Sequence, residues 1–80
     1  MALDLTTAKK VVGAKQVARA LRDHRARCVY FAQDADPRVT EPIELICSEQ
    51  DVPTEFFPGM SELGTACGIS VGSAVAAIID

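Results

Sequence analysis

Three basic residues near the start of this chain have a spacing that could bind an anion. Lys15, Arg19 and Arg22 stand at positions i, i+4 and i+7 of the run GAKQVARALR, which contains no acid. In a helix this spacing places all three on one stripe of the surface. The opposite face then carries the apolar residues of a helix packed on a core, namely Ala14, Val17, Ala18 and Leu21.

Gly13, which opens this run, adds to the prediction of anion binding. A glycine lets a ligand approach the backbone closely. The helix that follows presents free N–H groups and about half a positive charge from its dipole. Lys15 and Arg19 extend this field, and the Gln16 amide can both donate and accept hydrogen bonds. Such a surface suits a phosphate backbone with a base edge beside it.

A second candidate feature is the stretch GISVG, residues 68–72. Ile69, Ser70 and Val71 lie here between two glycines, and two interpretations are open. The apolar pair either packs into the core or forms a small exposed platform for an unstacked base. We expect this loop and the start of the basic helix to lie at the same end of the fold, as two parts of one site.

The charge of the chain is distributed unevenly. Residues 1–27 hold seven of the eight bases and two acids, a balance of +5, whereas residues 28–80 hold one base and nine acids, a balance of −8. The net charge is therefore −3. The asymmetry indicates either one face that attracts an anion or simply a solvated charged surface.

Catalytic and metal-binding patterns are weak in this sequence. The single histidine, His24, falls at the predicted end of a helix, where it complements the helix dipole. Asp34 and Asp36 are explained by helix capping and strand termination more simply than by metal binding. Cys28, Cys47 and Cys67 form no C-x-x-C pair, which favours reduced, buried thiols. We expect no enzyme activity, no cofactor and no metal.

The ends of the chain give no sign of export or of a membrane. The start, MALDLTTAKK, lacks the apolar segment of a signal peptide, and the apolar tail SAVAAIID is far shorter than the roughly 20 residues of a membrane helix. The sequence thus predicts a cytoplasmic protein that does not bind membranes. Since no apolar face is left over, we expect a monomer.

Strand and helix patterns alternate along all 80 residues, which form a single predicted domain, residues 1–80. KVVG is a short strand that ends at Gly13, and the basic helix runs from there to about His24. RCVYFA, residues 27–32, is a buried strand. The next helix is capped by Asp36 with Pro37 at its first position, and Val39, Ile43, Ile46 and Cys47 form its apolar face, unless Pro42 delays its start until after Thr40.

The second half of the chain continues the alternation. DVPTEFFPG contains a short strand, SELGTACG is a short helix that Gly68 ends, and SAVAAII is a last buried strand. Gly64, Gly68 and Gly72 are predicted to be close-packing and cap positions. The order predicts an α/β fold, a three-layer α/β/α sandwich around a four-stranded mixed sheet.

Four segments together resemble the kink-turn-binding ribosomal protein family, and most closely its short bacterial members. VVGAKQVARALR, CVYFAQDADP, LICSEQDVP and ELGTACGISVGSAVAAII occur in the order and spacing of that family. The combination of G-x-K-Q, A-x-D-A-D-P and L-G-x-A-C-G-I-x-V-G is highly specific, and the similarity covers nearly the whole chain.

The resemblance implies a non-catalytic, ribosomal-protein-like module that binds kink-turn RNA, in which tandem sheared G·A pairs follow a three-nucleotide bulge. Lys15 and Gln16 would then address the G·A pairs in the major groove, with Gly13 and Ala14 as further RNA-binding residues of the same motif. Arg19 would face phosphates, Arg22 would belong to the same RNA-binding surface, and Ile69, Ser70 and Val71 would pack on the bulged nucleotides. Ribosomal RNA or an mRNA leader would be the partner. The alternative is a protein-interaction module of the same fold that has lost most of its RNA affinity.

Overall fold

Strands and helices alternate along the described part of the chain, as the sequence predicted. The computed structural model describes residues 9–69 and 71–79. In chain order the elements are β1 (Lys10–Val12), α1 (Ala14–Arg22), β2 (Ala26–Ala32), α2 (Pro37–Gln50), β3 (Thr54–Phe57), α3 (Met60–Ala66) and β4 (Val75–Ile79).

The four strands form one mixed sheet in the order β1-β4-β2-β3. The last strand of the chain, β4, lies inside the sheet and runs antiparallel to both β1 and β2, whereas β3 runs parallel to β2 at one edge. This position explains the sequence of β4. A strand covered on both faces needs an uninterrupted apolar run, and Val75, Ala76 and Ala77 have no exposed surface.

Helices cover both faces of the sheet, which confirms the predicted layering. One core cluster joins α1 and α2 to the sheet through Val17, Leu21, Val29, Phe31, Ile43, Cys47, Val75 and Ala77. The other joins α3 to the opposite face and includes Cys28, Tyr30, Leu63, Cys67, Ala76 and Ile78. Alternate residues of β2 and β4 therefore supply the two cores.

The helix α2 begins at Pro37, so the later start after Thr40 is wrong. The Asp36 side chain accepts a hydrogen bond from the Arg38 N–H at 2.9 Å and caps the helix, as predicted. The helix continues through Pro42, whose missing N–H leaves only the carbonyl of exposed Arg38 without its intrahelical bond. At 14 residues α2 is the longest helix of the part described, and no helix there has the length and apolarity needed to cross a membrane.

The apolar face of α2 differs from the prediction at one position. Val39 is 37% exposed, whereas its neighbour Thr40 is buried together with Ile43 and Cys47. The buried positions i, i+3 and i+7 define the side that meets the sheet, and Val39 is rotated about 100° away from Thr40 in a helix of 3.6 residues per turn. Hydrophobicity alone pointed to the wrong residue of the pair.

The helix α1 ends at Arg22, two residues before the predicted end. The N–H of His24 bonds to the Leu21 carbonyl at 3.0 Å, and the N–H of Arg25 bonds to the Ala20 carbonyl at 2.9 Å. These two bonds form a Schellman motif, which requires a left-handed residue after the cap. His24 takes that conformation with φ of 56°.

Because glycine adopts positive φ without the steric cost that a side chain brings, His24→Gly should raise the free energy of unfolding by about 1 kcal/mol. The urea midpoint would measure this. Asp23→Gly is the matched control, since Asp23 has φ of −87° and gains nothing from glycine. An equal change in both variants would contradict this account of the helix end.

Candidate nucleic-acid interface

The basic stripe of α1 lies on the surface as its spacing predicted. Lys15, Arg19 and Arg22 are exposed, and with Gln16 and Asp23 they surround one open depression. On the opposite side of the helix Val17, Ala20 and Leu21 are buried, whereas Ala18, predicted to be on the core face, is only half-buried. Asp23 is the single acid at the depression, so its potential remains positive.

Gly13 occupies the N-cap position of α1 and sets the backbone conformation there. Its backbone has φ of 103° and ψ of 149°, a conformation that is essentially restricted to glycine. The Gly13 N–H bonds to the Val75 carbonyl at 2.9 Å, and no side chain of the described residues caps the helix. The first turn has the N–H groups of Ala14, Lys15 and Gln16, which are therefore available to an acceptor outside the protein.

The start of α3 differs, because carboxylates already occupy it. The Asp34 side chain accepts a hydrogen bond from the Met60 N–H at 2.8 Å across 26 residues of sequence. A Glu62 oxygen and the second Asp34 oxygen lie 2.7 and 3.1 Å from the point where a Cβ on Gly59 would stand. The capping role predicted for Asp34 is correct, although the helix it caps is α3.

The loop after α3 is tied to that helix. Gly68, with φ of 78°, ends α3 as predicted, and the Ile69 N–H bonds to the Gly64 carbonyl at 3.0 Å. Ile69 is half-buried against the core cluster on this face, whereas Val71 is 68% exposed. Of the two interpretations of this loop, core packing describes Ile69 and an exposed platform describes Val71. Ser70, the third predicted contact, lies outside the described residues.

Close backbone contacts hold this loop against the first turns of α3. A Cβ on Gly64 would stand 2.1 Å from the Val71 carbonyl oxygen, and one on Gly72 would stand 3.2 Å from the Met60 Cβ. Gly64 and Gly72 are therefore close-packing positions, as the sequence predicted. The loop takes its position from α3, on the face of the sheet opposite to α1.

The start of α1 and this loop lie at the same end of the sheet, as expected. The Val75 carbonyl joins them, since it accepts hydrogen bonds from both the Gly13 N–H at 2.9 Å and the Ser73 hydroxyl at 2.8 Å. The Ser73 N–H in turn bonds to the Met60 carbonyl at 3.1 Å. Ser73 was not among the predicted residues of the site, because a single buried serine gives no sequence signal of such a role.

The three thiols are placed where they are poor nucleophiles. Burial raises the pKa of Cys67, and it raises the pKa of Cys47 to about 11. The pKa of Cys28 is raised by burial as well. At neutral pH such thiols stay protonated, and the thiolate is the reactive form. Within residues 9–69 and 71–79, no three His, Cys, Asp or Glu side chains converge as a metal site would require.

Comparison with known proteins identifies the family. An RNA-binding protein of Geobacillus sp. (strain WCH70) is 43% identical over 75 residues, which cover 94% of this chain and 92% of that protein. RNA-binding protein YbxF of Geobacillus stearothermophilus is 40% identical over the same shares. The solved structure of the 15.5 kD RNA-binding protein of Giardia lamblia superposes with a TM-score of 0.83 at 32% identity, over 90% of this chain and 61% of that longer one. Residues 2–80 match the ribosomal protein L7Ae/L30e/S12e/Gadd45 family, and the chain belongs to that family.

Proposed function

We propose that this protein binds RNA through the start of α1 and the loop at residues 69–72, and that its target is a kink-turn. Membership of the family and the RNA-binding relatives support RNA binding. The resemblance of the G-x-K-Q and G-I-x-V-G segments to kink-turn-binding proteins supports a kink-turn as the target. The protein acts in the cytoplasm as a monomer and without catalysis.

The observation that carries the proposal is the pairing of an uncapped, basic helix start with an exposed apolar side chain at one end of the sheet. Lys15 and the free N–H groups of the first turn attract phosphate and base acceptors. Gln16 beside them suits a base edge. Val71 offers an apolar surface to an unpaired base, at 68% exposure. A kink-turn presents both kinds of partner close together.

Binding of this kind selects one RNA conformation. A kink-turn exchanges between an extended and a bent form, and only the bent form brings the G·A pairs and the bulge close enough together to contact one protein surface. A protein that contacts both parts shifts the population toward the bent form by its differential affinity. Arg19 and Arg22 continue the basic stripe along α1 and would follow the phosphate backbone away from the G·A pairs.

A titration tests the proposal. A short kink-turn RNA carries a fluorescence donor on one arm and an acceptor on the other, and a matched RNA has Watson–Crick pairs in place of the G·A pairs. We expect submicromolar protein to bend the first RNA and to leave the second extended. About three neutralised phosphates should give a log–log salt slope of roughly −2 to −3. Equal responses from both RNAs would refute kink-turn recognition, and no response of either RNA at low salt would refute bending of a kink-turn by this protein.

A further inference from the structure

A groove between α2 and the edge strand β3 lies away from the surface assigned to RNA. Its volume is about 310 Å³. Its lining combines the apolar residues Ala32, Ala35, Pro37 and Phe56 with two acids, Glu41 and Glu44, and the uncharged polar residues Gln33 and Thr40. Since α1 contacts β1, β4 and β2, and β3 lies at the other edge of the sheet, this groove and the basic stripe occupy opposite flanks.

Among the described residues, Phe56 is the one aromatic residue that lines the groove. One side of its ring stacks on fully buried Phe31, with ring centroids 5.4 Å apart and an interplanar angle of 28°. The side chain as a whole is nevertheless 50% exposed. Because this contact already orders the ring, a further apolar side chain can pack on its open side with little additional loss of side-chain entropy.

The strand that carries Phe56 has an open backbone edge. The Val29 N–H bonds to the Pro53 carbonyl and the Gln33 N–H bonds to the Phe57 carbonyl, so residues 53 and 57 face β2. By the alternation of a parallel pair, the main-chain groups of Thr54 and Phe56 point the other way. An extended segment can therefore pair with this edge, as in β-strand addition.

The charge around the groove determines what kind of segment fits. Residues 36–57 carry seven charged groups, of which Arg38 is the only base, and the Arg38 guanidinium is paired with Asp36 at 2.9 Å. Glu41 and Glu44 therefore face the groove without a cation on its lining. Such a lining repels phosphate and favours a cationic ligand.

We propose that the groove binds an extended basic segment of a partner protein. The segment pairs with β3, places an apolar side chain over Phe56, and sets Lys or Arg residues against Glu41 and Glu44. Basic, extended arms are typical of proteins that associate with nucleic acid. The partner is thus a protein with such an arm, and the arm binds on the flank opposite to α1.

The test uses the whole chain and an acetylated, amidated peptide of sequence RKVFVKR, with EDVFVDE as the charge-reversed control. Amide chemical shifts in a titration at low salt should move at Thr54, Phe56 and Glu41 with the basic peptide only. The double variant Glu41→Gln, Glu44→Gln should weaken binding about tenfold, since two exposed ion pairs are lost. Phe56→Thr should weaken it as well, with a strand-forming residue retained.

Two controls separate the groove from charge in general. Glu49→Gln removes an exposed acid of α2 that does not line the groove, and Leu45→Ser removes an apolar side chain that is 62% exposed elsewhere on α2. Both should bind the peptide like the parent protein. An equal loss in Glu49→Gln, or no binding of the basic peptide at millimolar concentration, would overturn the proposal. Lys15→Glu should not weaken peptide binding, because Lys15 does not line the groove. The peptide titration therefore tests the groove even if the RNA proposal fails.

Discussion

Lys15→Glu should lower the affinity for a kink-turn RNA on the order of 100-fold, while the protein stays folded. The substitution removes a cation from the first turn of α1 and places an anion over the uncapped N–H groups there. A lost charge-assisted hydrogen bond costs roughly 1.5 to 3 kcal/mol, and repulsion between the new carboxylate and phosphate adds to it. Folding should gain up to about 1 kcal/mol, because an acid near a helix start is favoured by the dipole.

The two readouts move in opposite directions, which makes this variant informative. Affinity is measured by the fluorescence titration, and stability by urea unfolding. The log–log salt slope should also become shallower by about one unit if Lys15 contacts a phosphate. Arg38→Glu is the matched control, since it makes the same change in net charge at a residue outside the basic stripe. If Arg38→Glu weakens binding as much as Lys15→Glu, the effect is one of overall charge and the proposed surface is wrong.

Gly64→Ala should destabilise the protein by about 2 kcal/mol and lower its melting temperature by about 10 °C. Alanine alone would favour the helix by about 1 kcal/mol, because glycine is a poor helix former. The new Cβ, however, would stand 2.1 Å from the Val71 carbonyl oxygen and 3.2 Å from the Gly72 Cα. Backbone atoms cannot turn aside as a flexible side chain can, so the loop must move away from α3.

Displacement of this loop should also lower the affinity for RNA. Since Val71 is proposed to contact the bulged nucleotides, Gly64→Ala should weaken kink-turn binding about tenfold at a temperature where the variant is fully folded. Thr65→Ala is the control, since it removes atoms from an exposed neighbour on the same helix and adds none. A Gly64→Ala protein as stable as the Thr65→Ala protein would show that the loop does not rest on α3 as described.

Local features of this protein followed from the sequence because they depend on residues a few positions apart. The basic stripe of Lys15, Arg19 and Arg22 required only helical periodicity. The start of α2 required only the Asp36 carboxylate and the fixed φ of Pro37. The alternation of strands and helices, and with it the layered fold, followed from the two periods of hydrophobicity.

Other features were decided by tertiary packing. No local pattern shows that Asp34 caps α3 rather than the nearer α2, that Thr40 is buried in place of Val39, or that Phe56 stays half-exposed at an edge. Each depends on which element competes successfully for a given patch of the sheet. His24 likewise adopts a left-handed conformation where the chain turns from α1 into β2. At such a position a sequence usually carries glycine.

The proposed RNA site combines both kinds of information. Its chemistry lies in two short segments, Gly13 to Gln16 and the loop at residues 69–72, and each can be recognised in the sequence alone. Their meeting at one end of the molecule depends on β4 lying antiparallel between β1 and β2, which brings the Val75 carbonyl within hydrogen-bond distance of Gly13 and Ser73. Residue types and spacing determine what each segment can bind. Only the order of strands, set by burial of the continuous apolar run in β4, decides that the two segments lie at the same end of the sheet.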